Sequence, residues 1–263
     1  MSDKESLQLK IRNILKDGEI EFYDFETRQF LREYYKVLPE ERIIEKAKKR
    51  ADGYPLQYIF GNWEFYGLLF SVGEGVLITR ADTETLVDTA IELIKKGKFK
   101  TVVDLCSGSG AVAVAVDKNT DASVTAVELS DKAFRYLEEN IKKNNSSVTA
   151  VKADATVFSG SFDLCLCNPP YIKTEVIKEL SREVRFEPTT ALDGGSDGLA
   201  FYRKITQNAK NFLNPQGVLA YEIGYDQADA VSKILSENGF SDIHIIKDLS
   251  GNQRVIFGTA DSL

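Results

Sequence analysis

The chain has 263 residues, 43% of them hydrophobic, which is enough for one full domain of about 100–200 residues plus a smaller companion and excludes disorder as the main state. Its net charge of −7, from 33 basic and 40 acidic residues, excludes the generic basic footprint of a nucleic-acid binder. One histidine, His244, and three cysteines, Cys106, Cys165 and Cys167, exclude a His-rich metal site, a disulfide framework and a zinc knuckle.

The charge is uneven. Residues 1–80 hold 13 basic and 14 acidic residues, and residues 81–263 hold 20 and 26. The opening MSDKESLQLK lacks the apolar centre of a signal peptide. No apolar run approaches the ~20 residues of a membrane span. A cytoplasmic monomer that does not engage membranes is the expectation.

The first fifty residues read as helices. Leu7, Ile11, Ile14 and Leu15 recur at helical spacing, as do Phe22, Phe25, Phe30 and Tyr34 in a looser stretch. Pro39, followed by Glu40 and Glu41, suits a first helical turn, with acids at the positive end of the dipole. Ile43, Ile44 and Ala47 then face inward, and the basic run 46–50 reads as a solvated face. Glycines and Pro55 punctuate the next stretch, where Tyr58, Ile59 and Phe60, then 63–66, then 68–72 form short aromatic and aliphatic runs. Such runs predict a hairpin connector.

From Asp82, expected to cap a helix carrying Leu86, Val87, Ala90, Ile91 and Ile94, helices and strands alternate. Strands are predicted over 101–105, 123–127, 148–151, 162–166 and 217–223. Helices are predicted from 110, over 131–143, over 198–212 and over 227–236. The alternation predicts an α/β fold whose mostly parallel sheet is covered on both faces. The last two strands, 243–246 and 255–257, are too close for a helix between them and should pair as an antiparallel hairpin. The predicted organisation is a helical domain at 1–53, a connector at 54–78 and an α/β domain at 79–263.

Two segments carry chemistry. Residues 102–110 read VVDLCSGSG: an apolar strand, a glycine turn and the start of a helix. Gly108 and Gly110 let backbone approach a ligand, and the helix N-terminus offers free N–H groups. Glu128 ends the next strand, eighteen residues beyond Gly110, where an acid can take both ribose hydroxyls of a nucleotide-like cofactor. The loop also fits a loose dinucleotide pattern, so spacing alone leaves the cofactor open. Asp154, after the following strand, is placed to accept from an adenine amino group.

The second segment is Asn168, Pro169, Pro170 and Tyr171, at the carboxyl end of an apolar strand, where open α/β sheets bind ligands. The prolines fix the backbone and remove two donors. The Asn168 side-chain oxygen and the Pro169 carbonyl can each accept one N–H of a planar amino group, and Tyr171 offers a ring for stacking.

N-P-P-Y downstream of D-L-C-S-G-S-G resembles the S-adenosylmethionine-dependent methyltransferases that modify amino nitrogens. PLQYIFG (55–61), LITRADTE (77–84), EPTTALDGGSDGL (187–199) and GNQRV (251–255) make the chain resemble, more narrowly, the HemK/PrmC-type release-factor glutamine methyltransferases, over nearly everything after Tyr54. The resemblance implies a Rossmann-like class I methyltransferase sheet with a small N-terminal helical domain that binds substrate. It implies S-adenosylmethionine held by Cys106, Ser107, Gly108, Ser109, Gly110, Glu128, Asp154, Ala155 and Asn168, and catalysis by Asn168, Pro169, Pro170 and Tyr171. The implied substrate is the glutamine side-chain amide in the Gly-Gly-Gln motif of peptide chain release factors.

Thr79 and Ala81 stand where the family usually has prolines, which predicts a looser loop. Ala155 stands where an aromatic residue is usual, which predicts weaker stacking on adenine. The runner-up function is adenine-N6 methylation of nucleic acid, with a flipped base in the same clamp; the acidic α/β half speaks against it, and no specific nucleic-acid binding is expected.

Other patterns are demoted. Residues 194–198 match a G-x-S-x-G elbow, but no strand pattern precedes them, so Ser196 is expected to cap the next helix. His244 is expected to be a structural or surface residue. Cys165 and Cys167 are expected on opposite strand faces, unable to chelate together.

Overall fold

The structure, a computed structural model, describes residues 3–261; Met1, Ser2, Ser262 and Leu263 lie outside it. Three helices open the chain: α1 (Asp3–Asp17), α2 (Tyr23–Tyr34) and α3 (Glu40–Ala51). Leu7, Ile11 and Leu15 of α1, Phe30 and Leu31 of α2, and Ile43 and Ala47 of α3 share one core. Each fully buried Leu, Ile or Phe there contributes roughly 1.5–3 kcal/mol.

The spacing read for α1 holds, with Leu7, Ile11 and Leu15 buried, but three readings after it need correcting. Phe22 and Phe25 are exposed, because α2 turns Thr27, Phe30, Leu31 and Tyr34 inward instead. Pro39 precedes α3 rather than entering it. The basic run is not wholly solvated: Arg50 is buried, with its guanidinium paired to Glu26 and Glu183, and Lys46 donates to the Ile59 carbonyl.

The connector is only half hairpin. Residues Leu56–Phe60 form a short helix, α4, between Pro55 at its start and Gly61 in the left-handed region at its end. Those two residues are the usual start and stop signals of a helix, and they outweigh the aromatic β propensity of the run. Leu56 and Ile59 complete the helical core. The hairpin proper is β1 (Asn62–Phe65) with β2 (Leu68–Ser71), and its Phe65 and Phe70 pack into the core of the sheet.

The remainder alternates as α5 (Glu84–Gly97), β3 (Thr101–Leu105), α6 (Ala111–Asn119), β4 (Ser123–Glu128), α7 (Asp131–Lys143), β5 (Thr149–Lys152), β6 (Phe162–Cys167), α8 (Ala200–Asn208), β7 (Leu213–Glu222), α9 (Ala228–Glu237), β8 (Phe240–Lys247) and β9 (Gln253–Ala260). The seven strands β3–β9 form one sheet in the order β5-β4-β3-β6-β7-β9-β8. All pairings are parallel except β7 with β9 and β9 with β8. The expected class I α/β fold, with its antiparallel final hairpin, is therefore present.

Strand side chains alternate between the two faces. Val102, Leu164, Leu166 and Ala220 pack with α5, α6 and Leu137 of α7. Val103, Leu105, Cys165, Cys167, Leu219 and Tyr221 pack with α8 and α9. The two cysteines thus share a face, since residues two apart point the same way, contrary to the expectation from sequence. Both are buried among apolar side chains. Among the described residues no group of His, Cys, Asp or Glu is placed to hold a metal, and no helix is long and apolar enough to cross a membrane.

Candidate active site

The order of strands reverses between β3 and β6. At such a switch point the loops leaving the two strands diverge and open a crevice at the carboxyl edge. A cavity of about 650 Å³ lies there, lined by Cys106, Ser107, Gly108, Ser109, Glu128, Asp154, Ala155, Asn168 and Pro170 among others. Nine of the predicted site residues thus meet around one space. Gly110, Pro169 and Tyr171 do not line it.

Gly110 works from behind. It begins α6 with φ +81°, and a Cβ there would sit 2.5 Å from a methyl group of Leu137, so only glycine lets the loop settle on α7. Gly108 has φ +57° and open space where its side chain would be. Cys106 also takes a positive φ, of 59°, which costs a non-glycine residue energy and marks the loop as strained. The Ser107 hydroxyl donates to buried Asp104 at 2.5 Å. Glu128 is held on both oxygens: Oε2 accepts from Gly108 N–H at 2.8 Å and Oε1 from Ser130 N–H at 2.7 Å. Each oxygen keeps a second lone pair for a ligand hydroxyl. Burial raises the Glu128 carboxyl, and the backbone donors counter it. Asp154 Oδ1 accepts from the amide and hydroxyl of Thr156, and Ala155 is buried in the cavity wall.

Asn168 is half-buried at the cavity, and among the described residues its side-chain amide has no hydrogen-bond partner. Pro169 and Pro170 are buried beside it. The Tyr171 ring packs toward the α8–α9 side of the core, and its hydroxyl donates to Glu222 at 3.4 Å.

Sequence reasoning missed a buried polar frame. Residues Pro188, Thr189, Thr190 and Ala191 form a second cavity wall. It is anchored by Glu187, whose Oε2 accepts from Ile78 N–H at 3.0 Å and whose Oε1 pairs with Arg80. Arg80 also donates to the Ile78 carbonyl at 2.6 Å, so the segment without its two prolines is tied down by ionic contacts. Asp82 does not cap α5. It lies in a single tight turn, Ala81–Thr83, and pairs with Arg254 at 3.1 Å, which also holds Asp248. The acid signal visible in sequence was Glu222, a carboxylate closing the apolar run Val218, Leu219, Ala220 and Tyr221.

No strand precedes Ser196: the chain from Glu187 to Asp193 contains the tight turn Thr189–Ala191 and a lone bridge from Asp193 to Ile172, so the elbow geometry is absent. Ser196 does not cap α8 either. Asp197 accepts the Leu199 amide at 3.1 Å and pairs with Arg203, taking the place ahead of the helix. His244 lies on the edge strand β8, stacked on Phe257 with ring centroids 5.0 Å apart.

Two buried acids give the site a pH signature. Burial pushes Asp104 up to about 7, partly offset by hydrogen bonds from Ser107 and the Ala113 backbone. Burial likewise pushes Glu222 up to about 7, against the pull of Arg254. Raised carboxyls favour the protonated folded state. Their contribution is full below the ordinary carboxylate range and is lost as pH rises through 7. The thermal midpoint of the ligand-free protein should therefore fall between pH 5 and pH 8. Asp104→Asn and Glu222→Gln should each flatten that slope, and an unchanged slope in both variants would refute the assignment.

The methyltransferase small domain matches residues 81–186. Among solved structures, the chain resembles a methyltransferase from Pyrococcus furiosus, with TM-score 0.56 and 22% identity over 75% of this chain and 91% of that one. It also resembles the hMettl16 catalytic domain, with TM-score 0.62 and 16% identity over 83% and 81%. At such identities the likeness concerns the fold alone. Three proteins named release factor glutamine methyltransferase are nearer in sequence. The one from Fusobacterium nucleatum is 43% identical over 82% of this chain, which spans 62% of that protein's length. That from Clostridium botulinum is 41% identical over 82% of this chain and 80% of its own. The Clostridium acetobutylicum protein is 36% identical over the full length of both. With the methyltransferase sheet in place and identity extending from end to end, the chain belongs to the release factor glutamine methyltransferase family.

Proposed function

We propose that this enzyme transfers a methyl group from S-adenosylmethionine to the side-chain amide nitrogen (N5) of the glutamine in the Gly-Gly-Gln motif of peptide chain release factors. The observation that carries the reading is the unpartnered Asn168 amide at the cavity, beside the rigid Pro169–Pro170 pair. The names and full-length similarity of its relatives support it.

The cavity suits the cofactor. Its volume falls in the range of about 300–1,000 Å³ typical of small-molecule sites. Gly108 leaves room for close approach, Glu128 has lone pairs free for ribose hydroxyls, and Asp154 lies within the same wall. When bound, S-adenosylmethionine supplies an electrophilic methyl group. An amide nitrogen is a poor nucleophile because its lone pair is delocalised into the carbonyl. The Asn168 side-chain oxygen and the Pro169 carbonyl would each accept one N–H of the substrate amide, orient the lone pair and stabilise positive charge growing on nitrogen. No general base is needed before transfer, because the methylated amide is acidic and loses its proton to an acceptor or to water.

The same reading divides the chain's labour: residues 1–53 grip the substrate away from the reacting loop, 54–78 connect, and 79–263 carry the chemistry. Remote contacts of that kind position a flexible loop. The protein acts as a monomer in this scheme. Incubation with labelled S-adenosylmethionine and three acceptors tests it. Label is expected on a release factor bearing Gly-Gly-Gln, and none on its Gln→Ala variant or on DNA. Label on DNA but not on the factor would overturn the proposal.

A further inference from the structure

Gln227 is almost fully buried at the residue preceding α9. Its side-chain amide makes three hydrogen bonds, two as donor and one as acceptor. Nε2 donates to the Tyr171 carbonyl at 3.0 Å and to the Gly198 carbonyl at 3.3 Å. Oε1 accepts from the Gly224 amide at 3.0 Å; the Tyr202 hydroxyl lies 3.3 Å away, but its one proton goes to the Glu222 carbonyl at 2.9 Å. One side chain therefore joins the loop after β6, the segment leading into α8 and the turn after β7.

The joint is tight by construction. A Cβ on Gly198 would lie 2.5 Å from the Tyr171 oxygen and 2.8 Å from Gln227 Nε2. A Cβ on Gly194 would lie 2.8 Å from the Pro170 oxygen and 2.7 Å from the Tyr171 Cα. Backbone thus rests on backbone, and the Ile172 amide donates to Leu192 while the Gly194 amide donates to Ile172. Pro169 and Pro170 have no N–H with which to anchor themselves. Their carboxyl-terminal end is fixed through the Tyr171 carbonyl, and Gln227 holds that atom.

We propose that Gln227 is a positioning residue for methyl transfer, setting the backbone of residues 168–171 and hence the placement of the Asn168 and Pro169 acceptors. Its amide is engaged by protein backbone at both its nitrogen and its oxygen, so it acts through the loop and not on the ligand. The proposal rests on the clamp reading above. A staple that served stability alone would, when cut, lower the thermal midpoint and leave turnover of the folded enzyme unchanged.

Gln227→Glu separates the two. It keeps side-chain length and the acceptor contact to Gly224 but sets an oxygen against the Tyr171 and Gly198 carbonyls. Measurements are the thermal midpoint, the dissociation constant for S-adenosylmethionine by calorimetry, and kcat and KM for the release factor. The expected result is a loss in kcat of roughly ten- to hundredfold, the scale of misplacement by about 1 Å, with cofactor affinity within about twofold. As pH falls, the variant should recover relative to wild type, because a protonated carboxyl again donates to a carbonyl. Gln227→Met, which keeps side-chain length but can make none of the three hydrogen bonds, should lower kcat in the same direction without recovering as pH falls. A folded Gln227→Glu enzyme with wild-type kcat would overturn the proposal, as would parallel losses of kcat and cofactor affinity. Should Gln227→Glu fail to fold, an unchanged kcat in folded Gln227→Met would overturn it. Normal turnover in Asn168→Ala would instead sink the clamp itself. An inactive Asn168→Ala beside a normal Gln227→Glu would remove only the role of Gln227.

Discussion

Asn168→Ala should reduce methyl transfer by at least about a hundred- to a thousandfold, the usual loss when one preorganised electrostatic partner of a transition state is removed, while binding of S-adenosylmethionine stays mostly intact. The asymmetry follows from the geometry. Glu128, Asp154 and the glycine loop line the cavity apart from residue 168, so on the proposed reading the cofactor would keep its principal contacts. The substrate amide would lose one of its two proposed acceptors, and with it both orientation and charge stabilisation. Single-turnover transfer with labelled cofactor, alongside calorimetric binding, separates these effects. Near-normal turnover would show that the amide is held by other groups.

Arg50→Met is the substitution expected to cost most in stability. Arg50 is 4% exposed. Its Nε and Nη2 donate to the two oxygens of Glu26 at 2.7 and 2.8 Å, and Nη2 also reaches Glu183 at 2.6 Å. Removing the cation strands the Glu26 carboxylate inside the helical core, where breaking a buried pair costs about 3–5 kcal/mol. The double variant Arg50→Met/Glu26→Leu should recover much of this, because no unpaired charge is left behind. Denaturant titration of the three proteins reads both effects. A single variant within about 1 kcal/mol of wild type would mean that Glu26 finds water.

Much of the catalytic half could be read from the chain because its signals are local. The apolar runs ending in Asp104, Glu128 and Asn168 gave strands, and their ends gave the site, since in a parallel sheet a strand's end and a ligand's place coincide. The short gap between the last two apolar runs required the β8–β9 hairpin. What failed was what depends on distant partners. Asp82 had the composition of a cap, but Arg254, 172 positions later, claims it. Arg50 had the look of a solvated charge until Glu26 and Glu183 closed over it. Glu187, Glu222 and Gln227 carry no periodic signal, because a buried polar residue is tolerated only when its partners arrive in three dimensions. At Leu56–Phe60, boundary residues outweighed the propensities of the residues between them.

The strand order has a consequence for how the molecule is made. β9 is the last of the described strands to be synthesised, yet it lies inside the sheet, between β7 and β8. Until residues 253–260 emerge, β7 has β6 on one side and an unpaired row of amides and carbonyls on the other. An open edge flanked by Val218, Leu219, Ala220 and Tyr221, all buried in the finished fold, is a template for pairing with other chains. The nascent protein therefore carries an open, apolar sheet edge until residues 253–260 have emerged. A chain lacking residues 253–260 would retain every residue of the cavity and still be prone to aggregate.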